Sequence, residues 1–265
     1  MRFMVKRILR FQNQSCRKES EENMKNDKLR LAVMVLLLCL ATAGAALAVR
    51  PWVFRWEKDI EIKKEVNHYW EVRETIQKVS EEQQEPVPYA ELLDDMRHYN
   101  MRLYTHKQRD LNCKSAYELS EFTLTDYGLP DEKFGVISIP KLDLEMPLFL
   151  GASEESMAAG AAVLSQTSIP IGGDSSNAVI AGHRGWNGYP YFLDIEKLEE
   201  GDEVTITNIW GTLHYCVKEI QIIAPNDVNA ILIRPGRDMI TLLTCHPPNT
   251  GGRYRYLVFC ERVKE

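Results

Sequence analysis

No two of the six cysteines in this chain are separated by two residues. The sequence therefore lacks the CxxC pairs that open most structural zinc sites. It also lacks internal repeats, which excludes solenoid and propeller architectures. A net charge of -6 leaves no basic excess of the kind that marks a nucleic-acid binder. No cofactor motif is present, and neither a cofactor nor a metal is expected. What remains is ordinary in bulk: 265 residues, 45% hydrophobic and 26% charged, enough for one core with accessory parts.

The charge distribution says more than its sum. Residues 1–30 carry nine Lys/Arg against four Asp/Glu, whereas residues 51–265 carry 22 against 34. Between them lies LAVMVLLLCLATAGAALAV (Leu31 to Val49), 19 residues without a charge. At about 1.5 Å per residue, a helix of this length nearly spans a hydrocarbon core of roughly 30 Å. The basic flank is expected to stay cytoplasmic, which puts residues 1–30 inside, a single-pass anchor over 31–49, and the acidic remainder outside the cell. A buried core helix is the alternative, but the run has no polar face. A cleaved signal peptide is another, since Ala46-Leu47-Ala48 has the small-residue pattern; the length of the run favours a retained anchor. Met24 opens MKNDKLR, so translation from there is a second reading of the start.

Cys16 precedes the apolar run and Cys39 lies within it, which leaves Cys113, Cys216, Cys245 and Cys260 beyond it. Four cysteines allow three fully paired patterns. An external part of this size does not need cross-links to fold, so Cys216 and Cys260, both in strand-like runs, are expected as buried thiols.

From Trp52 to Gln84 there is neither glycine nor proline, and apolar residues recur loosely at helical spacing: Val53, Ile60, Val66, Tyr69, Val72, Ile76 and Val79. This predicts a helical, solvated stalk, ended by Pro86 and Pro88. Tyr89 to Tyr104 reads as a second, amphipathic helix, so residues 50–104 form a stalk plus an N-terminal helix. Residues 105–133 are polar and irregular and are expected to form a loop or a lid. From Phe134 the texture changes to short β-like runs: GVISIP, MPLFLG, NAVIAGH, EVTITN, GTLHYCVKEIQII, MITLLTC and YRYLVFCERV. Turn signals such as Gly172-Gly173-Asp174 and Pro235-Gly236 separate them. Short helices are expected over Glu155 to Leu164 and Phe192 to Leu198. Many short strands with few helices suggest a mainly β domain over 134–265, a closed or nearly closed barrel.

Three residue types that work together fall at strand ends. His183 closes NAVIAGH, Cys245 closes MITLLTC, and Arg253 and Arg255 lie in the last run, two apart and thus on one face. A thiolate is the reactive form of cysteine. A histidine can pass a proton to a leaving group and take one from a nucleophile. An arginine can donate to a developing oxyanion without losing its own proton. Together they suit acyl transfer through a thioester. Each also has a structural reading: a buried thiol, a core histidine, a solvated arginine. His246 is a rival proton carrier, but it neighbours Cys245 and so points to the opposite face. His214 lies mid-strand and reads as structural.

TLLTC (Thr241 to Cys245), followed ten residues later by Arg255 in RYLV, resembles the signature of the sortase family. NAVIAGHRGW (Asn177 to Trp186) resembles the strand that brings the sortase histidine. ISIPKLDLEMPLFLGAS is similar to the opening strands, and TSIPIGGDSSNAVIAGHRG is close to the text of class C, pilin-type members. The resemblance covers about half of the chain. It implies an eight-stranded sortase β-barrel and a membrane-anchored cysteine transpeptidase. It implies that Cys245 attacks the Thr–Gly carbonyl of an LPXTG-like signal on a secreted protein. Arg255 would hold the oxyanion, with Arg253 as the alternative, and the backbone beside Thr244 and Cys245 is a further candidate donor. His183 would protonate the departing amine and then deprotonate the incoming one. That amine comes from a pilin lysine or, as the second reading, from a peptidoglycan precursor. Pilin-type members carry a lid anchored by Asp-Pro-aromatic; residues 105–133 stand in its place, but Pro130 precedes Asp131 and no such tripeptide occurs. A non-catalytic scaffold on a stalk and a plain cysteine protease remain open as other classes.

Overall fold

The absence of glycine and proline after Trp52 carries through into one long helix, α1 (Arg2–Gln83). The computed structural model describes residues 2–112, 117–186, 188–248 and 250–263. The chain divides into two compact units, Met1–Val53 and Phe54–Glu265. In the first, the side chains of the apolar run are exposed, Leu36 and Leu38 among them. Among the described residues α1 is the one helix long and apolar enough to cross a membrane.

In the second unit, α1 is no solvated stalk. Ile62, Val66 and Tyr69 are buried at spacings of four and three, the stripe that one helix face presents to a core. Polar groups fasten the same face. The Tyr69 hydroxyl donates to the Phe134 carbonyl at 3.3 Å, and Arg73 Nε donates to the Asn208 carbonyl at 2.9 Å. Lys133, nearly buried, sits between Glu65 and Asp131 at 2.9 and 2.7 Å. The sequence pattern was loose because only these three apolar positions of the helix are buried; Ile60 and Val79 stay exposed.

α2 (Ala90–Thr105) forms as the amphipathic pattern predicts and buries Leu92, Leu93, Met96, Tyr99 and Leu103. Asn100 is buried with them, and its amide exchanges two bonds with the backbone of Ile169, at 2.7 and 2.9 Å. That pairing satisfies a side chain that would otherwise be costly to bury.

Among the described residues ten strands follow: β1 (Lys133–Ile139), β2 (Leu144–Leu150), β3 (Ala161–Val163), β4 (Ser176–Ala181), β5 (Arg184–Trp186), β6 (Tyr189–Tyr191), β7 (Glu203–Asn208), β8 (Thr212–Ile223), β9 (Asp238–His246) and β10 (Tyr254–Arg262). Eight of them close into a barrel in the order β1-β2-β3-β4-β9-β10-β8-β7, with β7 back against β1. β5 and β6 form a separate hairpin. Most neighbours are antiparallel; β4 runs parallel to β9, and β2 parallel to β3. Alternation along the strands divides the core. Val136, Met146, Ile180, Leu242 and Val258 pack together with residues of α1 and α2. Val179, Met239, Leu257 and Phe259 belong to a second cluster on the other face of the wall, closed by Leu111 and Ile231.

Two helix expectations are corrected. Residues 155–164 do not form one helix: α3 (Glu154–Ala159) stops at Gly160, and Ala161–Val163 is a barrel strand. A Cβ at Gly160 would lie 2.3 Å from the Pro147 carbonyl oxygen, so close approach of the backbones ends the helix there. Residues 192–198 keep only a 3₁₀ turn, Ile195–Lys197. The described part of 105–133 is packed rather than loose: Leu111, Phe122, Leu124 and Leu129 are buried, and Glu132 accepts from the backbone N–H groups of Leu124 and Thr125. The expectation for Cys113 lies outside the described residues. Cys216 and Cys260 are both free thiols, but only Cys260 is buried as expected; Cys216 is half-buried.

The packed reading of α1 separates from a stalk by stability. Ile62→Ala should cost about 2–4 kcal/mol. Urea unfolding of the full chain in detergent measures this; a change within about 0.5 kcal/mol, the usual effect at a surface position, would restore the stalk.

Candidate active site

The end of β9 is set by its two neighbours. On one side β10 pairs so that Arg255 stands directly opposite Cys245. Directly opposed residues of an antiparallel pair share a face, with Cβ atoms about 5 Å apart. On the other side β4 runs parallel, with Ala181 beside Leu243. Two bonds continue that pairing past the strand end: Gly182 N donates to the Leu243 carbonyl at 3.1 Å, and the Thr244 hydroxyl donates to the Gly182 carbonyl at 2.7 Å. Carried two residues on, the register sets His183 across from Cys245.

Cys245 is exposed at this rim, while its neighbours Thr244 and Leu242 are buried. The loop between β9 and β10 returns over it. Gly252, at φ +73°, leaves little room for a side chain: a Cβ there would lie 3.1 Å from Cys245 Sγ and 2.9 Å from Arg255 Nη1. Both atoms are thus near one point, and they are no more than about 6.0 Å apart. Arg255 Nη1 donates to the carbonyls of Gly252 and Tyr254, at 2.7 and 3.1 Å. Its Nε and Nη2 have no partner among the described residues.

His183 lies two residues beyond β4, not within it. Its ring is stacked on Trp186 at 4.9 Å and meets the edge of Tyr191 at 5.8 Å. The Tyr191 hydroxyl is itself held by the Ala158 carbonyl at 2.7 Å. Burial holds the His183 imidazole below its ordinary value, with Glu154 pulling it the other way. Among the described residues no carboxylate hydrogen-bonds to the ring; aromatic packing orients it instead.

The remaining sequence candidates are placed apart from this face. Arg253 lies outside the last strand, which begins at Tyr254, and is exposed. The expectation that it shares a strand face with Arg255 is therefore corrected. The Thr244 side chain is buried and spent on Gly182, so only its backbone borders the site. His246 points to the opposite face, against Tyr256 at 5.6 Å. His214 pairs with Glu203 at 2.7 Å, well down the barrel wall. Among the described residues no His/Cys/Asp/Glu group has the arrangement of a metal site.

Arg184 is the residue that the sequence reading passed over. It appeared only as a letter in HRGW. Its side chain is 2% exposed, forms a close ion pair with Glu196, and lies over the Tyr256 ring at 5.5 Å. Nη1 reaches His246 Nδ1 at 3.1 Å and the Cys245 carbonyl at 3.4 Å. It thereby links the segment after His183 to the backbone of Cys245 from beneath. The available signal was a charge set among aromatic residues at a strand end, where a buried guanidinium needs several partners.

Burial pushes the Cys260 thiol well up, which makes it inert to alkylation. Iodoacetamide should therefore modify Cys245 first and leave Cys260 untouched in the folded protein, as read by peptide mass spectrometry. Gly252→Ala should slow the Cys245 reaction at least tenfold, because the added carbon stands against Sγ. An unchanged rate would show that the β9–β10 loop does not confine the thiol.

A family model described as the sortase domain matches residues 137–263. Sortase A of Streptococcus agalactiae is 27% identical over 184 residues, which cover 63% of this chain and 73% of that protein. The crystal structure of S. agalactiae sortase C1 is similar with a TM-score of 0.63 and 27% identity, over 76% of this chain and 98% of that one. A pilus-related sortase C of Group B Streptococcus is 32% identical, with a TM-score of 0.53, over 64% of this chain and 91% of that one. The shared barrel, the ordered motifs of β4, β9 and β10, and these likenesses lead to one conclusion: the chain belongs to the sortase family and is a cysteine transpeptidase with a candidate membrane anchor.

Proposed function

We propose that this sortase is of the pilin-type class, with Cys245 as nucleophile, His183 as proton carrier and Arg255 as oxyanion donor. The observation that carries the residue assignment is the direct cross-strand pairing of Cys245 with Arg255, whose Nε and Nη2 have no partner among the described residues, beside an exposed thiol. The class assignment rests on the likeness to the sortase C structures.

In this reading an LPXTG-like segment of a secreted protein lies along the β9–β10 rim. The Cys245 thiolate attacks the Thr–Gly carbonyl carbon and forms a C–S bond. The carbonyl oxygen gains the negative charge, and the free guanidinium donors of Arg255 receive it. The C–N bond then breaks as His183 gives a proton to the departing glycine amine, leaving a thioester on Cys245. An incoming amine, a lysine of the next pilin subunit, attacks that thioester while neutral His183 takes its proton. The new amide forms and the thiolate is released. The N-terminal basic segment lies on the cytoplasmic side and the barrel outside, where secreted substrates are met. A peptidoglycan amine in place of the lysine would make the same site a wall-anchoring enzyme.

An LPXTG peptide with the full chain should give an acyl adduct on Cys245, visible by mass spectrometry, and a lysine-bearing pilin segment should release it faster than water does. Release by water alone would indicate a protease, and an absent adduct with folded protein would indicate a scaffold. Arg255→Lys should lose about 100- to 1,000-fold in turnover, the cost of removing an oxyanion donor; a near-normal rate would transfer the role to backbone donors.

The position of His183 also sets a pH dependence. Its imidazole is held low by burial, so the neutral base persists on acidification past the ordinary value of 6.5. The acid limb of amine-dependent release should fall below that pH. Glu154→Gln removes the one influence that raises the imidazole and should move the limb lower still. A limb above 6.5, or one that rises in this variant, would place the titrating group elsewhere.

A further inference from the structure

One open cavity of the Phe54–Glu265 unit lies away from Cys245. A groove of about 1240 Å³ runs between the end of α1, the turn into α2 and residues 126–130. It exceeds the roughly 300–1,000 Å³ of small-molecule sites, which favours a length of polymer. Its floor is apolar, with Val72, Ile76, Val79 and Val87 exposed or half-exposed along it.

The border is acidic. Glu71, Glu85, Glu91 and Asp126 line the groove, and none has an ion-pair partner among the described residues. No lysine or arginine lines it among those residues. The field is felt locally: the Tyr127 phenol is raised above its ordinary value by its 2.8 Å bond to Asp95, by slight burial, and by the nearby charges of Asp95, Glu91 and Asp126. Elsewhere on these helices carboxylates are neutralised in place, as in Glu74–Lys78 and Asp59–Lys63. An apolar floor inside an uncompensated acidic border selects against anionic lipid surfaces and acidic peptides, and for a chain that alternates cations with apolar side chains.

The groove also lies away from the chemistry. Tyr69 and Arg73 fasten α1 at the start of β1 and the end of β7. Strand directions around the barrel set that rim opposite the one where β9 ends at Cys245. We propose that this groove is a docking site for an extended, lysine-bearing segment of the acceptor protein, distinct from the segment whose amine reacts. It rests on the transpeptidase reading above. A second contact of this kind raises the effective concentration of the acceptor without touching the reacting atoms.

The probe is a labelled acetyl-(Lys-Val)5-amide peptide, with (Glu-Val)5 as control, titrated by fluorescence anisotropy into the full chain in detergent. The Lys-Val peptide should bind and lose at least tenfold in affinity between low and 0.3 M salt, since border charges are screened over about 10 Å or less. The Glu85→Lys/Glu91→Lys double variant should lose at least tenfold at low salt. Reversal of the exposed Glu145 and Glu200, outside the groove, should leave binding unchanged. Equal binding of both peptides, or the same loss from reversal at either pair of sites, overturns the proposal. So does a double variant that binds like the parent. Catalysis separates the two readings. The double variant should release the Cys245 adduct to hydroxylamine at the parental rate while the KM for a lysine-bearing acceptor protein rises. If hydroxylamine releases nothing from the parent, the catalytic reading fails, and peptide binding still decides the groove.

Discussion

Two hydrogen bonds past the end of the β4/β9 pair fix where the rest of the site must be. Gly182 gives its N–H to Leu243 and takes the hydroxyl of Thr244 on its carbonyl. A parallel pair has no tight turn to hold its ends in register, so such bonds carry that task here. They work only because residue 182 has no side chain: a Cβ would lie 2.5 Å from the Phe192 ring. Phe192 in turn gives its N–H to the His183 carbonyl at 2.9 Å. One missing methyl group thus lets an aromatic core, a strand end and a histidine share the same few ångströms.

On the other side of Cys245 the restraint is antiparallel and steric. The β9–β10 register chooses Arg255, and Gly252 lets the returning loop pass close to both side chains. Arg184 supports the arrangement from the inner face. The rim therefore has a layered build, with exposed reactive groups above and a buried cation and its aromatic partners below. The same alternation that fills the barrel sorts these layers, since Cys245 and His246 are adjacent in sequence and opposite in direction.

Much of this was legible. The seven β-like runs correspond to strands, and the spacing from Cys245 to Arg255 matched the family signature. What was not legible depended on contacts between distant segments. Ala161–Val163 is a strand because β2 and β4 flank it, although its residues favour a helix. The loose apolar spacing of residues 52–84 looked like a solvated helix because Glu65, Tyr69 and Arg73 find their partners in β1 and β7, which local pattern does not show. Arg253 lost its place because the strand starts one residue later, at Tyr254. Arg184 was hidden by its type: arginine is expected on surfaces, and only the fold shows it enclosed.

The way α1 and α2 bury their apolar faces also bears on what counts as the domain. The segment that carries the family likeness begins at Ile137, but the folding unit begins at Phe54. A fragment cut to the shared segment would lose the start of β1 together with Ile62, Tyr69 and Met96, which belong to the same hydrophobic cluster as the barrel's Ile137, Val204 and Ile206. It would present a hydrophobic wall to water at the rim remote from the thiol. The minimal catalytic text and the minimal soluble body are therefore different lengths of chain, and about eighty residues that contain no reactive group decide whether the rest stays dispersed.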